Sequence, residues 1–500
     1  MNRMQEDSLL EADSRENILE HENFANDLQQ DETKAKSWLE YVKLITVEPT
    51  MFLYMLAFMV TSVVEQAFFI YKACRVDLGF PEEICKNLTQ YKEKNKEVQV
   101  VVSTFHQNND IASHLIPIVL ALFIGAWSDR RGRKLLLLLG LGGKLWYSIW
   151  IVINSLQETW TLSQVIWTAS LPSGLTGADL AIFAAAFSYI SDITTLKNRT
   201  LRITVLDVTY LTSMPIGVAL GKLLFHYLNR TYATYATYAT MFSLNALLLL
   251  IALLYSFFRL DWATNPHQKP LKLCCLNVKS KFIKNDDEKN VRQPYCFLDF
   301  FDKEHLIESI KTITRKRSTH GRGYLILLIL AMGLYTFQRD ERQMMYLYTN
   351  LKFHWEVSSF SDFRVFQSSI YVLGTLLCVP LMGKFFKFAD TTMVIVGTLS
   401  HSVARMTFAL AEKPWMFYLG ASLASVGPVV APVLRSMASK IVPENERGKV
   451  FAVLSVADTT VPLFSGIVYS QVYNATIHSY PAAIFWVTVG TQMIVFSTAL

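Results

Sequence analysis

The main pattern along the chain is a series of long apolar runs separated by polar stretches. A bilayer core about 30 Å thick requires about 20 apolar residues for each spanning α-helix, and twelve runs meet that requirement. They lie near residues 50–72, 107–127, 135–155, 161–190, 202–225, 240–258, 324–348, 363–385, 391–411, 415–437, 448–471 and 481–500. The pattern predicts an all-α polytopic membrane protein with twelve transmembrane helices.

Three polar blocks set the predicted domain boundaries. An acidic tail covers 1–49, an outer loop covers 73–106, and a Lys-rich central loop covers 259–323. The central loop separates an N-terminal six-helix half, 50–258, from a C-terminal six-helix half, 324–500. We therefore expect two bundles of six helices each.

The distribution of charge predicts how the helices are oriented in the membrane. The chain has 47 Lys and Arg against 41 Asp and Glu, which gives a net charge of +6. Residues 1–33 contain two Arg and ten acids, a net charge of −8, so the rest of the chain carries a net charge of +14. This basic excess lies in short loops after the second, fourth, eighth and tenth runs, so the positive-inside rule predicts that both termini and the central loop are cytosolic. We interpret the basic excess as a determinant of membrane topology rather than as a nucleic-acid-binding surface. With 52% hydrophobic and 18% charged residues, the composition excludes an ordinary soluble protein, which has roughly 25% charged residues.

The most specific motif is Gly-Ala-Trp-Ser-Asp-Arg-Arg-Gly-Arg-Lys, which starts at Gly125 between the second and third runs. Gly125 permits close helix packing and Gly132 a tight turn. Asp129 can accept hydrogen bonds from a helix N-terminus of the other half and pair with an arginine. We expect Gly125, Asp129, Arg130, Gly132 and Arg133 to form a cytosolic latch. The segment resembles the G-x-x-x-D-R-x-G-R-K motif of the major facilitator superfamily, which also has two six-helix halves.

Further segments resemble solute carrier family 46, which includes a proton-coupled folate transporter and the thymic stromal cotransporter. They are Val47-Glu48-Pro49, Ser191-Asp192, Pro432-Val-Leu-Arg435 and 448–451. The resemblance implies proton-driven uptake of organic anions across the plasma membrane or an endosomal or lysosomal membrane. Protons would be the coupling ion, with no bound cofactor or metal. The seventh span of the folate transporter carries a histidine near the position of Tyr335–Phe337, where this chain has none.

Three acids inside the predicted spans are candidates for carrying the coupling proton: Asp207, Asp179 and Asp458. A charge at the bilayer centre costs about 2.5–3.5 kcal/mol on insertion scales, so each must face a cavity or a partner. The resemblance implies a proton-coupling role for the acid at Asp207 and an acid at Asp179. Alternatively, Asp207 pairs with Arg199 or Arg202 at the cytosolic edge, and Asp179 is a buried structural acid between helices.

Arg435, after Pro428 and Pro432 in the tenth run, is the candidate anion-binding residue. A planar guanidinium suits a carboxylate, and the resemblance implies a role in anion and proton handling. The alternative is an arginine that snorkels to the cytosolic headgroups.

The seventh run contains four consecutive charges, Arg339, Asp340, Glu341 and Arg342. Four charges against lipid would cost about 10 kcal/mol, so a broken helix lining an outer cavity is expected. Glu65 lies at the corresponding depth of the first run, and we predict that it pairs with one of these arginines as an outer gate. In the alternative, the helix ends at Phe337 and the charges lie in water.

The predicted outer loops carry modification sites. Cys74 and Cys85 share the first outer loop, so a local disulfide is expected there. Three N-x-S/T sequons lie on the predicted outer side, and the predicted glycosylation sites are therefore Asn87, Asn229 and Asn474. A fourth sequon, at Asn198, lies on the predicted cytosolic side.

These observations favour a secondary active transporter, not an enzyme: a proton-coupled symporter of a small organic anion, embedded in the lipid bilayer. No nucleic-acid partner is expected, and an oligomer is not required. One alternative is a facilitator or antiporter of neutral or cationic solutes. Another is a non-transporting membrane receptor with the same fold.

Overall fold

Helices account for every regular element in the part of the chain that the computed structural model describes. The described residues are 45–194, 196–231, 234–264, 268, 321–441 and 447–500. Within these ranges the chain makes twelve helical passes, which we number α1 to α12.

The first six passes form the N-terminal half. They are α1 (Glu48–Lys72), α2 (Lys92–Arg131), α3 (Arg133–Leu156), α4 (Leu162–Ile193), α5 (Leu196–Thr231) and α6 (Thr234–Arg259). The other six form the C-terminal half. They are α7 (Gly321–Thr336 and Glu341–Phe353), α8 (Val357–Pro380), α9 (Asp390–Ala409), α10 (Trp415–Leu423 and Val430–Ile441), α11 (Arg447–Thr476) and α12 (Ala483–Ala499).

Six helical segments are long and apolar enough to cross a membrane by length and composition alone. They are Glu48–Asp77, Arg133–Leu156, Leu162–Ile193, Arg202–Thr231, Thr234–Arg259 and Trp415–Ala438. Among the other passes, α7 carries the four-charge cluster and α12 is short, so length and hydropathy alone do not single them out. Following the predicted orientation, we call the end of the bundle that carries residues 73–91 its outer end.

The second helix begins earlier than the apolar pattern indicates. The predicted outer loop 73–106 is wrong at its C-terminal end, because α2 starts at Lys92. The added helical turns are polar, but Asn95, Gln99 and Ser103 are buried. A hydropathy pattern misses these turns because they contact protein rather than lipid.

The Thr-Tyr-Ala repeat at 231–240 is helical from Thr234 onward, where it forms the start of α6. Tyr235 and Tyr238 pack edge-on and tilted against Tyr71 of α1. The aromatic period therefore supplies a packing face between α1 and α6.

The fourth and seventh passes are interrupted helices. In α4, Gly177 adopts a left-handed conformation with φ +78°, which glycine tolerates without a Cβ clash. In α7, a 3₁₀ turn at Phe337–Arg339 separates two α-helical segments, and the second segment continues to Phe353. The broken helix predicted for this span is present, and the alternative in which it ends at Phe337 is wrong.

The α2–α3 turn ties the N-terminal half together. Gly132 has φ +96°, and a Cβ there would collide with the carbonyl of Trp262, which follows α6. Arg133 Nε donates to Asp192 Oδ2 at 3.0 Å, which connects the turn to the end of α4. Lys134 Nζ donates to the carbonyls of Phe257 and Leu260 at 2.6 and 2.7 Å. The lysine thus donates hydrogen bonds to carbonyls at the C-terminus of α6, where the helix itself supplies no donor.

The two halves meet at the outer end through a ladder of buried polar side chains. Hydrogen bonds join α2 to α7 and α11, and an ion pair joins α5 to α8. The buried hydrogen bonds include Asn95–Asn350 (3.1 Å), Gln99–Asn350 (3.3 Å), Tyr473–Gln99 (2.5 Å) and Ser103–Ser470 (2.8 Å). The hydrogen bond Gln471–Gln107 (2.8 Å) and the ion pair Lys222–Asp362 (2.6 Å) are exposed. The structure is thus closed at its outer end, as in the inward-facing state of an alternating-access cycle.

The outer loop 73–91 is covalently fastened. Cys74 and Cys85 form a disulfide with a Cα–Cα distance of 5.7 Å. Asn87 follows the short helix Glu82–Lys86 and is exposed. Asn474 instead lies within α11, and its Nδ2 donates to Thr104 Oγ1 of the other half. A glycan on that nitrogen would compete with the interhalf contact.

Glycosylation tests the orientation. We expect glycan on Asn87, so that Asn87→Gln reduces the mobility shift produced by a glycosidase. Asn474→Gln is expected to leave the glycosidase shift unchanged, because its amide is engaged with Thr104. Asn198→Gln is the matched control and should also change nothing. Glycan on Asn198 would reverse the predicted orientation.

Candidate functional site

The centre of the bundle carries two arginines of α7 that lack partners among the described residues. Arg339 ends the 3₁₀ turn and Arg342 lies in the first turn of the following helix. Arg342 lies deep in the protein within electrostatic range of Arg339, yet both side chains are exposed. Arg339 also lies within electrostatic range of Tyr210 on α5, so this exposed surface faces the N-terminal half across a solvent-accessible space, here called the cavity. Neither guanidinium forms a hydrogen bond or ion pair with a described residue.

The two acids between these arginines point the opposite way and are buried. Glu341 is fully buried and forms an ion pair with Arg405 of α9, with Nε–Oε1 at 3.3 Å. Thr488 of α12 donates its hydroxyl to the same carboxylate. Asp340 accepts a hydrogen bond from the hydroxyl of Ser465 on α11. The acids therefore anchor the broken segment of α7 to three helices of its own half.

Arg405 continues into a buried polar network. Its Nη1 lies 3.1 Å from Nδ1 of His401, so that nitrogen must accept and the imidazole is neutral with its proton on Nε2. Nε2 lies 3.4 Å from the hydroxyl of Tyr335 on α7. The network holds α7 and α9 together on both sides of the 3₁₀ turn.

Asp207 of α5 lies across the cavity from the C-terminal half. It is half-buried and forms no ion pair among the described residues. Arg435 of α10 acts on it electrostatically, and Tyr210, one turn further along α5, is within range of Asp207, Arg435 and Arg339. The alternative in which Arg202 neutralises Asp207 is wrong, because Arg202 pairs with Glu48 at 3.0 Å. The Arg199 side chain lies outside the described part.

Asp179 is held by partners within its own half. Lys144 of α3 forms an ion pair with it at 2.7 Å, and Tyr54 of α1 donates its hydroxyl to the same oxygen. The paired carboxylate joins α1, α3 and α4, which favours a structural role, but the Asp179 side chain is 52% exposed, so it is not the buried acid of that alternative. Asp207 is therefore the better candidate for a mobile proton.

The predicted gate pair between Glu65 and an arginine of α7 is wrong for this closed outer end. Glu65 instead accepts a hydrogen bond from the hydroxyl of Tyr147 on α3, and Lys144 of the same helix lies in electrostatic range. The Glu65 side chain turns toward α3, inside its own half. Closure instead rests on the neutral ladder and the Lys222–Asp362 pair.

Several functional candidates were not singled out by the sequence. Lys144 is a lysine within an apolar run, which by itself indicates a buried partner. Arg364 of α8 hydrogen-bonds Gln367 at 2.8 Å and lies within electrostatic range of Arg342, so it adds a third positive charge beside the α7 pair.

Some predicted site residues lie outside the described part of the chain. These are the side chains of Asp129, Arg130 and Asp458 and the surroundings of Gly125. The structure therefore describes the predicted latch only at Gly132 and Arg133.

This arrangement, two helical halves around a charged cavity, is that of a membrane transporter, and sequence comparison agrees. A sequence profile of the Major Facilitator Superfamily matches residues 111–367, or 257 of the 500 residues. The chain belongs to the Major Facilitator Superfamily. It is therefore a multi-pass membrane transporter rather than an enzyme.

Relatives narrow the family. The chain is 25% identical over 451 residues to a probable peptidoglycan muropeptide transporter of Drosophila melanogaster, covering 87% of this chain and 81% of the relative. It is 26% identical over 470 residues to a lysosomal proton-coupled steroid conjugate and bile acid symporter of Gallus gallus, covering 87% and 89%. Both are named as solute carrier family 46 proteins, so the resemblance to that family is confirmed.

The fold is also shared with a protein of little sequence similarity. The crystal structure of a D-xylose–proton symporter matches with a TM-score of 0.62 at 12% identity, covering 93% of this chain and 97% of the other. At this identity the match establishes the shared fold.

Proposed function

We propose that this transporter moves a small organic anion together with protons by alternating access. The observation that carries the proposal is the pair Arg339 and Arg342, which border the cavity without hydrogen bonds or ion pairs to described residues. A guanidinium withdrawn from bulk water is unfavourable unless a counter-charge reaches it. An anionic substrate supplies that counter-charge, and the planar fork suits a carboxylate or sulfate group.

Asp207 supports the proton-coupled part of the proposal. A partly buried carboxylate without an ion pair can gain and lose a proton, whereas one held by a lysine, as Asp179 is, stays ionised. Arg435 acts on Asp207 from the other half, so protonation of Asp207 weakens an attraction between the halves. The name of the Gallus gallus relative, a proton-coupled symporter of steroid conjugates and bile acids, is consistent with both parts.

The test is uptake by the full chain in liposomes, with labelled anions and size-matched neutral and cationic solutes. We expect anions alone to accumulate when the outside is at about pH 5.5 and the inside at about pH 7.5, because two pH units supply about 2.7 kcal/mol per proton. A protonophore should abolish accumulation. Equal uptake of neutral solutes, unaffected by the protonophore, would instead indicate a facilitator. No transport of any solute would indicate a receptor-like protein.

The arginine pair gives a sharper prediction on affinity. Arg342→Gln should weaken the apparent affinity for the transported anion by about tenfold, or roughly 1.4 kcal/mol, because one charge-assisted contact is lost. Arg230→Gln is the matched control, since Arg230 is an exposed arginine at the outer end of α5. An unchanged affinity in Arg342→Gln would place the substrate elsewhere.

A further inference from the structure

Two buried carboxyl groups from opposite halves meet beneath the closed outer end. Asp110 of α2 is 4% exposed and Asp340 of α7 is 7% exposed. Both contact the same turn of α11: Ser465 donates to Asp340, and Gly466 lies so close to Oδ2 of Asp110 that a Cβ there would be 2.5 Å from it. The acids also act on each other electrostatically.

The hydrogen bonds around Asp110 do not satisfy an ionised carboxylate. Gln343 Nε2 donates to Oδ1 at 3.3 Å, but Oδ2 is buried without a hydrogen-bond partner among the described residues. Leaving a charged oxygen buried and unpaired is strongly unfavourable. A proton on that oxygen removes the charge.

The surrounding charges do not neutralise both acids. Arg339, Arg342 and His114 act on Asp340 from a distance, and Asp110 forms no ion pair with any described residue. They offset one negative charge, but a second charge in the same buried site remains uncompensated. Among the described residues, the titratable and charged groups within electrostatic range of the pair are His114 of α2, Tyr147 of α3, Arg339 and Arg342 of α7, and Tyr469 of α11.

We propose that Asp110 and Asp340 form a proton-binding site of the transport cycle, separate from Asp207, that holds one proton whenever the outer end is closed. When the halves separate at the outer end, the two acids move apart into water and both ionise. Closure therefore takes up one proton. The proposal does not depend on an anionic substrate, so it can hold even if the proposed function fails.

The sign of the pH dependence follows from proton uptake on closure. Below the titration range of the separated acids, both acids are protonated in the open form, so closure no longer takes up a proton and the closed-to-open ratio stops rising as the pH falls. Above that range, each unit rise in pH should lower the closed-to-open ratio about tenfold, because closure binds one proton and each pH unit lowers the proton concentration tenfold.

The test measures outer closure directly. Spin labels at Gln90→Cys and Ser359→Cys, two exposed positions at the outer end of opposite halves, report the interhalf distance by pulsed EPR. The background is the full chain in nanodiscs, with serine at Cys274, Cys275, Cys296 and Cys378 and the Cys74–Cys85 disulfide retained. The unaltered acids should give the tenfold slope per pH unit.

Removing Asp110 should remove the slope. Asp110→Asn should stay closed across the whole pH range, because the one remaining charge, on Asp340, is offset by Arg339 and Arg342. Asp340→Asn should keep the slope over a narrower pH range, because Oδ2 of Asp110 still has no hydrogen-bond partner among the described residues but no longer faces a second carboxylate. The two variants lie on different halves, so a folding defect in one does not compromise the other. Asp362→Asn, which removes an exposed interhalf carboxylate, should keep the slope. Asp207→Asn should also keep it.

Two outcomes would overturn the proposal. One is a distance distribution that does not change with pH in the protein with both acids. The other is an undiminished slope in Asp110→Asn. Loss of the slope in Asp207→Asn alone would assign the proton to α5 instead.

Discussion

Asp207→Asn should abolish accumulation of substrate against its gradient while sparing exchange of labelled for unlabelled substrate. An amide cannot bind the proton that Asp207 carries in the proposed cycle, so the variant loses the driving force of the pH gradient. Two pH units are worth about 2.7 kcal/mol per proton, so the accumulation ratio should fall about a hundredfold. Exchange needs no net proton movement and should continue.

The measurement is uptake and exchange in the same liposome preparation. Glu158→Gln, at an exposed acid between α3 and α4, is the matched control and should accumulate substrate normally. If Asp207→Asn accumulates substrate with an unaltered pH dependence, Asp207 has no part in coupling. Loss of exchange as well would assign Asp207 to substrate binding or folding.

Arg405→Met should strongly destabilise the C-terminal half. It leaves the fully buried Glu341 without its cation, and breaking one side of a buried ion pair costs about 3–5 kcal/mol. We expect a large fall in the midpoint of thermal unfolding in detergent, followed by loss of the monodisperse species. Glu341→Leu combined with Arg405→Met should recover most of the loss, because an apolar pair of similar volume leaves no uncompensated charge.

An exposed ion pair of the same half provides the contrast. Lys440 Nζ lies 2.6 Å from Asp390 Oδ2, but the lysine side chain is 63% exposed. Lys440→Met should therefore lower the free energy of unfolding by about 1 kcal/mol or less. If Arg405→Met were as mild as Lys440→Met, the buried network would not stabilise α7. A double variant no more stable than Arg405→Met would assign the defect to packing rather than charge.

The sequence predicted the architecture because its signals are local. An apolar run of about 20 residues specifies a spanning helix, and the Gly125–Lys134 motif marks a particular turn between two of them. The break in α7 was also predictable, since Arg339–Arg342 cannot lie against lipid as a regular helix. These features require only the order of residues along the chain.

Partner assignment was not predictable in the same way. Counting residues places Glu65 and Arg342 at similar depth, but successive residues of a helix point about 100° apart. Helices that are apolar on all sides give no signal for which face turns inward. Hence Glu65 contacts Tyr147 rather than an arginine, and Glu341 pairs with Arg405 of α9.

Closure of the outer end has a consequence for pharmacology. A blocker applied from outside that is too large to pass the Asn95–Asn350 and Ser103–Ser470 contacts can bind only conformers in which those contacts are broken. Its apparent dissociation constant equals the intrinsic value divided by the fraction of such conformers. A compound optimised against the open conformer alone would therefore look weak in cells in which the closed conformer prevails. Substitutions that loosen the ladder should raise the blocker's potency without touching its binding site.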